Sequence, residues 1–283
     1  MDQRIINLFD EYTHKPLSRE QFISKLVRLT GSTAAAMSLL PLLEVNYANA
    51  ATVQDDRIDT ERITYDSGGT TMKGYLARPK NQSNLGSVVV IHENRGLNPH
   101  IEDVTRRVAV AGFLALAPDA LSPLGGRPAD ADQARNMFQE LDSVRTIASF
   151  AGAFDYLKSR RESNGKFGCV GFCWGGAMAN NMAVHVQSLK VAVPFYGRQP
   201  DLADVPKIKC KLQLHYAGMD ERINAGVPAY EEALKKAGVD YEIFIYENAQ
   251  HAFHNDTAPT RYNEAAATLA WSRTMNVFSK NLK

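Results

Sequence analysis

The sequence predicts an α/β fold in which helices cover both faces of a mostly parallel central sheet. Three observations predict it. Short apolar runs rich in β-branched residues recur from about residue 60 onward, helical patterns separate these runs, and the run Ser87–Ile91 is almost entirely apolar. An apolar strand of this kind is typical of burial on both faces, and strand–helix alternation is typical of a parallel sheet.

The elements follow in order along the chain. The segments on either side of Asp66–Gly69 predict a hairpin at a sheet edge. We expect further strands at Ser87–Ile91, Phe113–Ala117, Phe167–Gly171, Val191–Phe195, Lys211–Tyr216 and Tyr241–Tyr246, and helices at about 100–111, 143–160, 177–187, 227–237 and 263–279. Because no linker, repeat or low-complexity segment interrupts residues 60–283, we predict one domain over residues 51–283.

Composition narrows the classes of function. The chain has 283 residues, 45% of them hydrophobic, and a formal net charge of +1, which is ordinary for a globular protein. So small a charge gives no electrostatic reason to expect nucleic acid or an acidic membrane as partner. The three cysteines, Cys169, Cys173 and Cys210, form neither a disulfide framework nor a metal-binding CxxC pattern. Nucleic-acid binding is therefore set aside.

Residues 1–50 resemble an export signal of the twin-arginine type. The apolar run 29–43 is shorter than the roughly 20 residues that a membrane span needs, and Ala48–Ala51 fits the small-x-small cleavage rule. Ser18–Ile23 resembles the twin-arginine motif, but Glu20 replaces its second arginine. We expect a periplasmic or otherwise exported protein cleaved after Ala50, with no membrane span in the mature chain. An N-terminal arm that is retained is the alternative.

Cys173 is the candidate nucleophile. It lies in Gly171-Phe172-Cys173-Trp174-Gly175-Gly176, between a predicted buried strand and a predicted helix. This is the G-x-nucleophile-x-G elbow of α/β-hydrolases, in which small residues let strand and helix approach each other closely. The N-terminus of the following helix lowers a thiol pKa and helps to bind an oxyanion. The alternative is a close strand–helix crossing without catalysis.

An acid and a histidine follow in the order that this elbow requires. Asp220 comes just after the predicted strand Lys211–Tyr216, and His251 follows the strand Tyr241–Tyr246. Glu221 is a rival acid and His254 a rival base. His251 and His254 could also suggest two metal ligands, but no third ligand stands at suitable spacing, so we predict neither a metal nor a cofactor.

At these residues the chain resembles the dienelactone hydrolase family, a branch of the α/β-hydrolases that uses cysteine. The resemblance runs from about residue 60 to the C-terminus. It is carried by the elbow, by His215–Asp220, by Gln250–Phe253 and by His92–Gly96. It implies hydrolysis of a small ester or enol lactone through a Cys173–Asp220–His251 triad and a thioester acyl-enzyme.

The resemblance also implies roles for other residues. Glu93 would pair with the resting cysteine until substrate displaces it. The backbone N–H groups of Asn94 and Trp174 would form the oxyanion hole. The family's carboxylate-binding arginine, four residues after the histidine, is replaced by Asn255. The candidate substrate-binding residues are Arg95, Tyr196, Arg198 and Arg222.

Three other functions remain open at this point. A carboxylesterase or thioesterase of the same fold has the same triad. A non-catalytic α/β-hydrolase would act as a binding protein and would not need Cys173. A redox protein would use Cys173 with Cys169 as its resolving thiol, although we expect Cys169 to be buried in the strand with its side chain directed away from the site.

Overall fold

The computed structural model describes residues 1–45 and 55–283. Its centre is a sheet with strand order β1-β2-β4-β3-β5-β6-β7-β8. The strands are β1 (Ile58–Ser67), β2 (Thr70–Pro79), β3 (Leu85–Ile91), β4 (Leu114–Pro118), β5 (Ser163–Phe172), β6 (Leu189–Phe195), β7 (Lys211–Ala217) and β8 (Tyr241–Tyr246).

The sheet is parallel except at one edge. β1 and β2 form an antiparallel hairpin, and β2 pairs antiparallel with β4. Every other pairing in the sheet is parallel. Every residue of β3 and of β4 is buried, as their apolar sequences require. The predicted fold class and the predicted edge hairpin are confirmed.

Helices cover both faces of the sheet. The helices that follow the hairpin are α4 (Pro99–Val110), α5 (Ala131–Met137), α6 (Ser143–Ser159), α7 (Trp174–His185), α8 (Glu221–Asn224), α9 (Val227–Ala237) and α10 (Glu264–Leu282). Residues of α6, α7 and α9 pack in one core layer, and residues of α4 and α10 pack in the other. The sequence pattern did not predict α5 and α8, which are only 7 and 4 residues long.

The N-terminal segment forms three helices, α1 (Gln3–His14), α2 (Arg19–Thr30) and α3 (Thr33–Leu43). They share a small apolar core centred on Phe9, Tyr12, Phe22 and Leu26. Ser18 begins α2 with a capping box, and Gly31 ends it with a φ of 79°. The order and packing of these helices bring the end of α1 to the carboxyl edge of the sheet.

The residues predicted as a signal fall partly on these helices. The apolar run 29–43 covers the end of α2 and all of α3. The expected cleavage site, Ala48–Ala51, lies outside the described residues. Within the described part of the chain no single helix is long and apolar enough to cross a membrane. α2 and α3 together have the length and composition of a span but meet at a bend of 116°. Export stays a prediction.

Candidate active site

Cys173 occupies the sharp turn between β5 and α7. Its backbone has a φ of 57° and a ψ of −112°, and its N–H donates to the carbonyl of Phe195 at 3.0 Å. A positive φ is strained for a residue with a side chain, and such strain clusters at functional sites. A Cβ on Gly171 or Gly175 would overlap neighbouring backbone atoms, so the turn needs glycine on both sides. The predicted elbow geometry is therefore present around Cys173, which is 7% exposed.

Asp220 and His251 lie together beside the elbow. The Nδ1 of His251 and the Oδ2 of Asp220 are 2.5 Å apart, and both residues are buried. Asp220 also caps α8, because its Oδ1 accepts from the N–H of Ile223 at 3.3 Å. A ring nitrogen of His251 lies within 4.8 Å of the Cys173 Sγ, and the Nε2 of His251 has no hydrogen-bond partner among the described residues. The three residues chosen from sequence thus meet in one place.

The two rival residues lie elsewhere. Glu221 is exposed at the first position of α8. His254 is buried and stacks on Phe172 with ring centroids 5.0 Å apart. Burial lowers the pKa of His254 to about 3, with nearby His100 and Arg107 acting in the same direction. His254 is therefore a neutral packing residue, which agrees with the choice of His251.

Glu93 is bonded to Asn255. Its Oε2 accepts a hydrogen bond from the Asn255 Nδ2 at 2.9 Å, and the Asn255 Oδ1 accepts from the hydroxyl of Thr257 at 2.6 Å. All three residues are buried. Asn255 therefore holds a glutamate rather than lining the cavity, and within the described part of the chain no hydrogen bond joins Glu93 to Cys173.

The sulfur of Cys173 instead contacts His14, a residue that the sequence analysis did not select. The Nε2 of His14 lies 3.1 Å from Sγ. On the opposite side of the ring, Nδ1 lies 3.1 Å from the Oδ1 of Asp10. His14 is the last residue of α1 and 159 positions away from Cys173. The local sequence signal is the Asp10–His14 spacing of four residues on a helix with an apolar face.

These contacts set the charges of the site. Burial alone would raise the pKa of Cys173, but the positive charges of His14 and His251 outweigh it and lower that pKa to about 6. Burial alone would lower the pKa of His251, but the Cys173 sulfur and Asp220 raise it to about 10. The pKa of His14 is raised against its burial by Cys173 and Asp10. The arrangement therefore favours a thiolate between two imidazolium rings.

A cavity of about 1070 Å³ opens onto Cys173. Its lining includes the candidate residues Asn94, Trp174, Tyr196, Arg198 and Arg222, together with His14 and His251. Arg95 is not among them; it is buried, and its carbonyl accepts from Arg127 at 3.0 Å. Arg222 pairs with Asp10 at 3.4 Å. Arg198 is exposed and has no ion pair among the described residues, so its guanidinium is available to a ligand.

Comparison with known proteins places this arrangement in a family. The model of the dienelactone hydrolase family matches residues 72–282. The chain belongs to the dienelactone hydrolase family. A Saccharolobus solfataricus protein described as a candidate carboxymethylenebutenolidase is 32% identical over 251 residues, which cover 75% of this chain and 95% of that protein. Membership in this family identifies the chain as a hydrolase and confirms the resemblance found in the sequence.

Solved structures of family members share the fold. A candidate dienelactone hydrolase from Klebsiella pneumoniae is 27% identical, covers 78% of this chain and 98% of its own, and has a TM-score of 0.72. A dienelactone hydrolase-like promiscuous phosphotriesterase from metagenomic libraries is 24% identical, covers 80% of this chain and 100% of its own, and has a TM-score of 0.73. At so low an identity the second likeness bears on the fold alone.

This family member also carries a set of atoms suited to a metal ion. A ring nitrogen of His14, a ring nitrogen of His251 and the Sγ of Cys173 lie within 4.8 Å of one another. Imidazole and thiolate are the ligands that zinc prefers. The spacing of residues in the sequence indicates no third ligand, because His14 reaches the site only through the packing of α1. The two imidazole rings are also the groups that ionise the Cys173 thiol, and a ring nitrogen that carries a proton cannot bind a metal ion at the same time.

Proposed function

We propose that the enzyme hydrolyses a small ester or enol lactone with Cys173 as nucleophile, His251 as acid–base and Asp220 as the group that orients His251. One observation carries the proposal: the buried Asp220–His251 pair stands beside a cysteine held on a strained elbow at the start of a helix. A nucleophile, a base and an orienting acid within reach of one another are the arrangement that nucleophilic acyl transfer needs.

The chemistry follows from the positions of the groups. The thiolate attacks the carbonyl carbon, and the backbone N–H groups of Asn94 and Trp174 bind the oxyanion. The carbonyl re-forms as the C–O bond breaks, and His251 gives its proton to the leaving oxygen. The resulting thioester is attacked by a water molecule that returns a proton to His251. The acid product leaves, and the Cys173 thiolate is restored.

The cavity suggests the class of substrate. Arg198 lines it without a carboxylate partner among the described residues, so it can bind a substrate carboxylate in place of the family arginine whose position Asn255 takes. A lactone that carries a carboxylate is the substrate that uses this charge.

A second candidate is a carboxylesterase acting on larger acyl groups. The cavity lies at the upper end of ordinary small-molecule sites, and apolar side chains contribute much of its wall, including Phe138, Leu141, Ile147 and Met178. These residues suit an acyl chain better than a compact anion.

The test compares wild type, Cys173→Ala and Cys173→Ser on a chromogenic acetate ester and on an unsaturated five-membered lactone with a carboxylate. We expect turnover by wild type and none by Cys173→Ala. A preference for the lactone supports the dienelactone-type substrate, and a preference for longer-chain esters supports the carboxylesterase. Equal turnover by all three proteins would refute Cys173 as nucleophile and favour a binding role.

A further inference from the structure

We propose that His14 is a catalytic residue, and that its imidazolium holds Cys173 as a thiolate in the resting enzyme, the part that the family resemblance assigns to Glu93. The N-terminal helix α1 is then part of the active site. This inference rests on the proposed function of Cys173, because a resting thiolate matters only if the sulfur is the nucleophile.

The first support is the contact itself. At 3.1 Å, the distance from the His14 Nε2 to Sγ is short for a hydrogen bond to sulfur. His251 is close but leaves its Nε2 without a hydrogen-bond partner within the described residues. The two rings meet edge to face with centroids 4.6 Å apart, so both border the same sulfur. In the resting geometry His14 is the donor that the sulfur uses, and His251 is left ready for a substrate oxygen.

The second support is that Glu93 has another partner. Its carboxylate accepts from Asn255 at 2.9 Å, and its negative charge acts on the buried guanidinium of Arg261. A carboxylate held in this way is not placed to take up a thiol proton. In this chain Asn255 holds Glu93, and His14 contacts the sulfur instead.

The third support is how His14 is held. Two acceptors of Asp10 face the Nδ1 of the ring, its backbone carbonyl at 2.9 Å and its carboxylate Oδ1 at 3.1 Å, so Nδ1 carries a proton. A second proton, on Nε2, makes the ring an imidazolium and is directed at the sulfur. His14 is also the last residue of α1, where the helix dipole favours a positive charge. The result is a second aspartate–histidine pair, Asp10–His14, on the opposite side of Cys173 from Asp220–His251.

The fourth support is the way α1 is fixed to the loops around the site. The carbonyl of Thr13 accepts a hydrogen bond from the Asn94 side chain at 2.7 Å, which joins α1 to the loop that follows β3. The side chains of Gln3 and Gln250 bond to each other next to His251, and Asp10 pairs with Arg222. Contacts with two loops and with α8 give His14 a defined position in the cavity wall.

The protons of this reaction balance without a further reactant. The resting site holds a thiolate and two imidazolium rings. Attack on the ester forms the C–S bond from the thiolate electron pair, His251 gives and later recovers one proton, and His14 keeps its own throughout. The charged and titratable groups that face the His14–Cys173 pair are Asp10, Arg222, Glu93, Arg261, Tyr196, Asp220 and His251.

The experiment measures ionisation of Cys173 rather than turnover. The alkylation rate of the full-length enzyme with iodoacetamide is recorded against pH, with Cys173→Ala as background for Cys169 and Cys210. We expect a midpoint at about pH 6 in wild type. In His14→Gln we expect the midpoint to rise by about 1 to 3 units, the usual effect of losing an adjacent opposite charge.

Two further variants keep the test sharp. His185 is an exposed histidine that also ends a helix, α7, so His185→Ala is the matched control and leaves the midpoint unchanged. Asp10→Asn keeps the imidazole and the helix, and we expect a smaller rise in the midpoint than in His14→Gln. A rise in both site variants with unchanged far-UV circular dichroism supports the proposal.

Other outcomes overturn it. An unchanged midpoint in a folded His14→Gln protein means that His251 alone ionises the sulfur. A midpoint in wild type that moves on treatment with EDTA means that a metal ion, and not the His14 imidazolium, holds the thiolate. Because alkylation does not require turnover, an enzyme that fails on every ester but shows the His14-dependent midpoint refutes the proposed function and not the His14–Cys173 pairing.

Discussion

Replacing Asp220 with asparagine tests whether its carboxylate supports His251. The carboxylate lies 2.5 Å from the His251 Nδ1, and both groups are buried. Proton transfer by a positioned side chain contributes about 10²- to 10⁴-fold to the rate, which is about 3–5 kcal/mol on the barrier because each 1.36 kcal/mol is tenfold. Because the thiolate is already formed, only protonation of the leaving group is affected, and we expect the lower half of that range.

The assay for Asp220→Asn is kcat/KM on the chromogenic ester at neutral pH. Asparagine can still cap α8 through its side-chain oxygen, so we expect little change in thermal stability. Glu221→Gln is the matched control, because Glu221 is the adjacent acid and is exposed. A loss of less than tenfold in Asp220→Asn, or an equal loss in Glu221→Gln, would refute the assignment of Asp220.

Three further predictions follow from the same geometry. The kcat/KM should rise with pH through about 6, because the lowered pKa of Cys173 provides thiolate above that pH. It should fall near pH 10, where His251 loses its proton. A rise that occurs only near the ordinary thiol pKa contradicts this prediction. Gly175→Ala should lower the free energy of unfolding by about 1–3 kcal/mol or more in urea titrations, because its Cβ would overlap the Ile91 carbonyl oxygen; unchanged stability speaks against the close crossing. Arg198→Gln should raise KM about tenfold or more for a carboxylated lactone, the usual scale of a charged hydrogen bond, and leave KM for a neutral ester unchanged; equal effects on both would exclude a carboxylate contact.

Most of the fold could be predicted because each large element carries its own local signal. β3 is almost entirely apolar and is buried along its length, while the Gly68–Gly69 turn defines the edge hairpin. α5 was missed because a helix of seven residues spans too few turns to show a periodic pattern. The predicted helix at 177–187 begins at Trp174 instead, since glycines at positions 175 and 176 mask a helix start that the elbow imposes.

The site was only partly predictable, for a different reason. Cys173, Asp220 and His251 each follow a strand, so the topology brings them to one sheet edge. No such rule applies to His14, whose place depends on how an N-terminal helix docks on loops far away in sequence. The pairing of Glu93 with Asn255 is equally a matter of tertiary contact. A resemblance to a family passes on the roles of matched residues, but His14 lies outside the matched residues 72–282. Glu93 does have a counterpart, and its partner differs because Asn255 replaces the family arginine.

The predicted export with cleavage and the proposed catalytic role of His14 make opposite demands on the N-terminal segment. Cleavage after Ala50 would remove His14, Asp10 and one wall of the cavity, leaving Cys173 with His251 as its only imidazole among the groups described here. Export with cleavage and a catalytic His14 therefore cannot both hold for the mature enzyme. The small core of α1–α3 and the contacts of α1 with two active-site loops and with α8 give the retained segment a role that a discarded signal would not need. The intact mass of the protein purified from its own cells decides between them: a chain that retains residue 14 is the form in which His14 can act, and a chain beginning at Ala51 would leave the thiolate to His251.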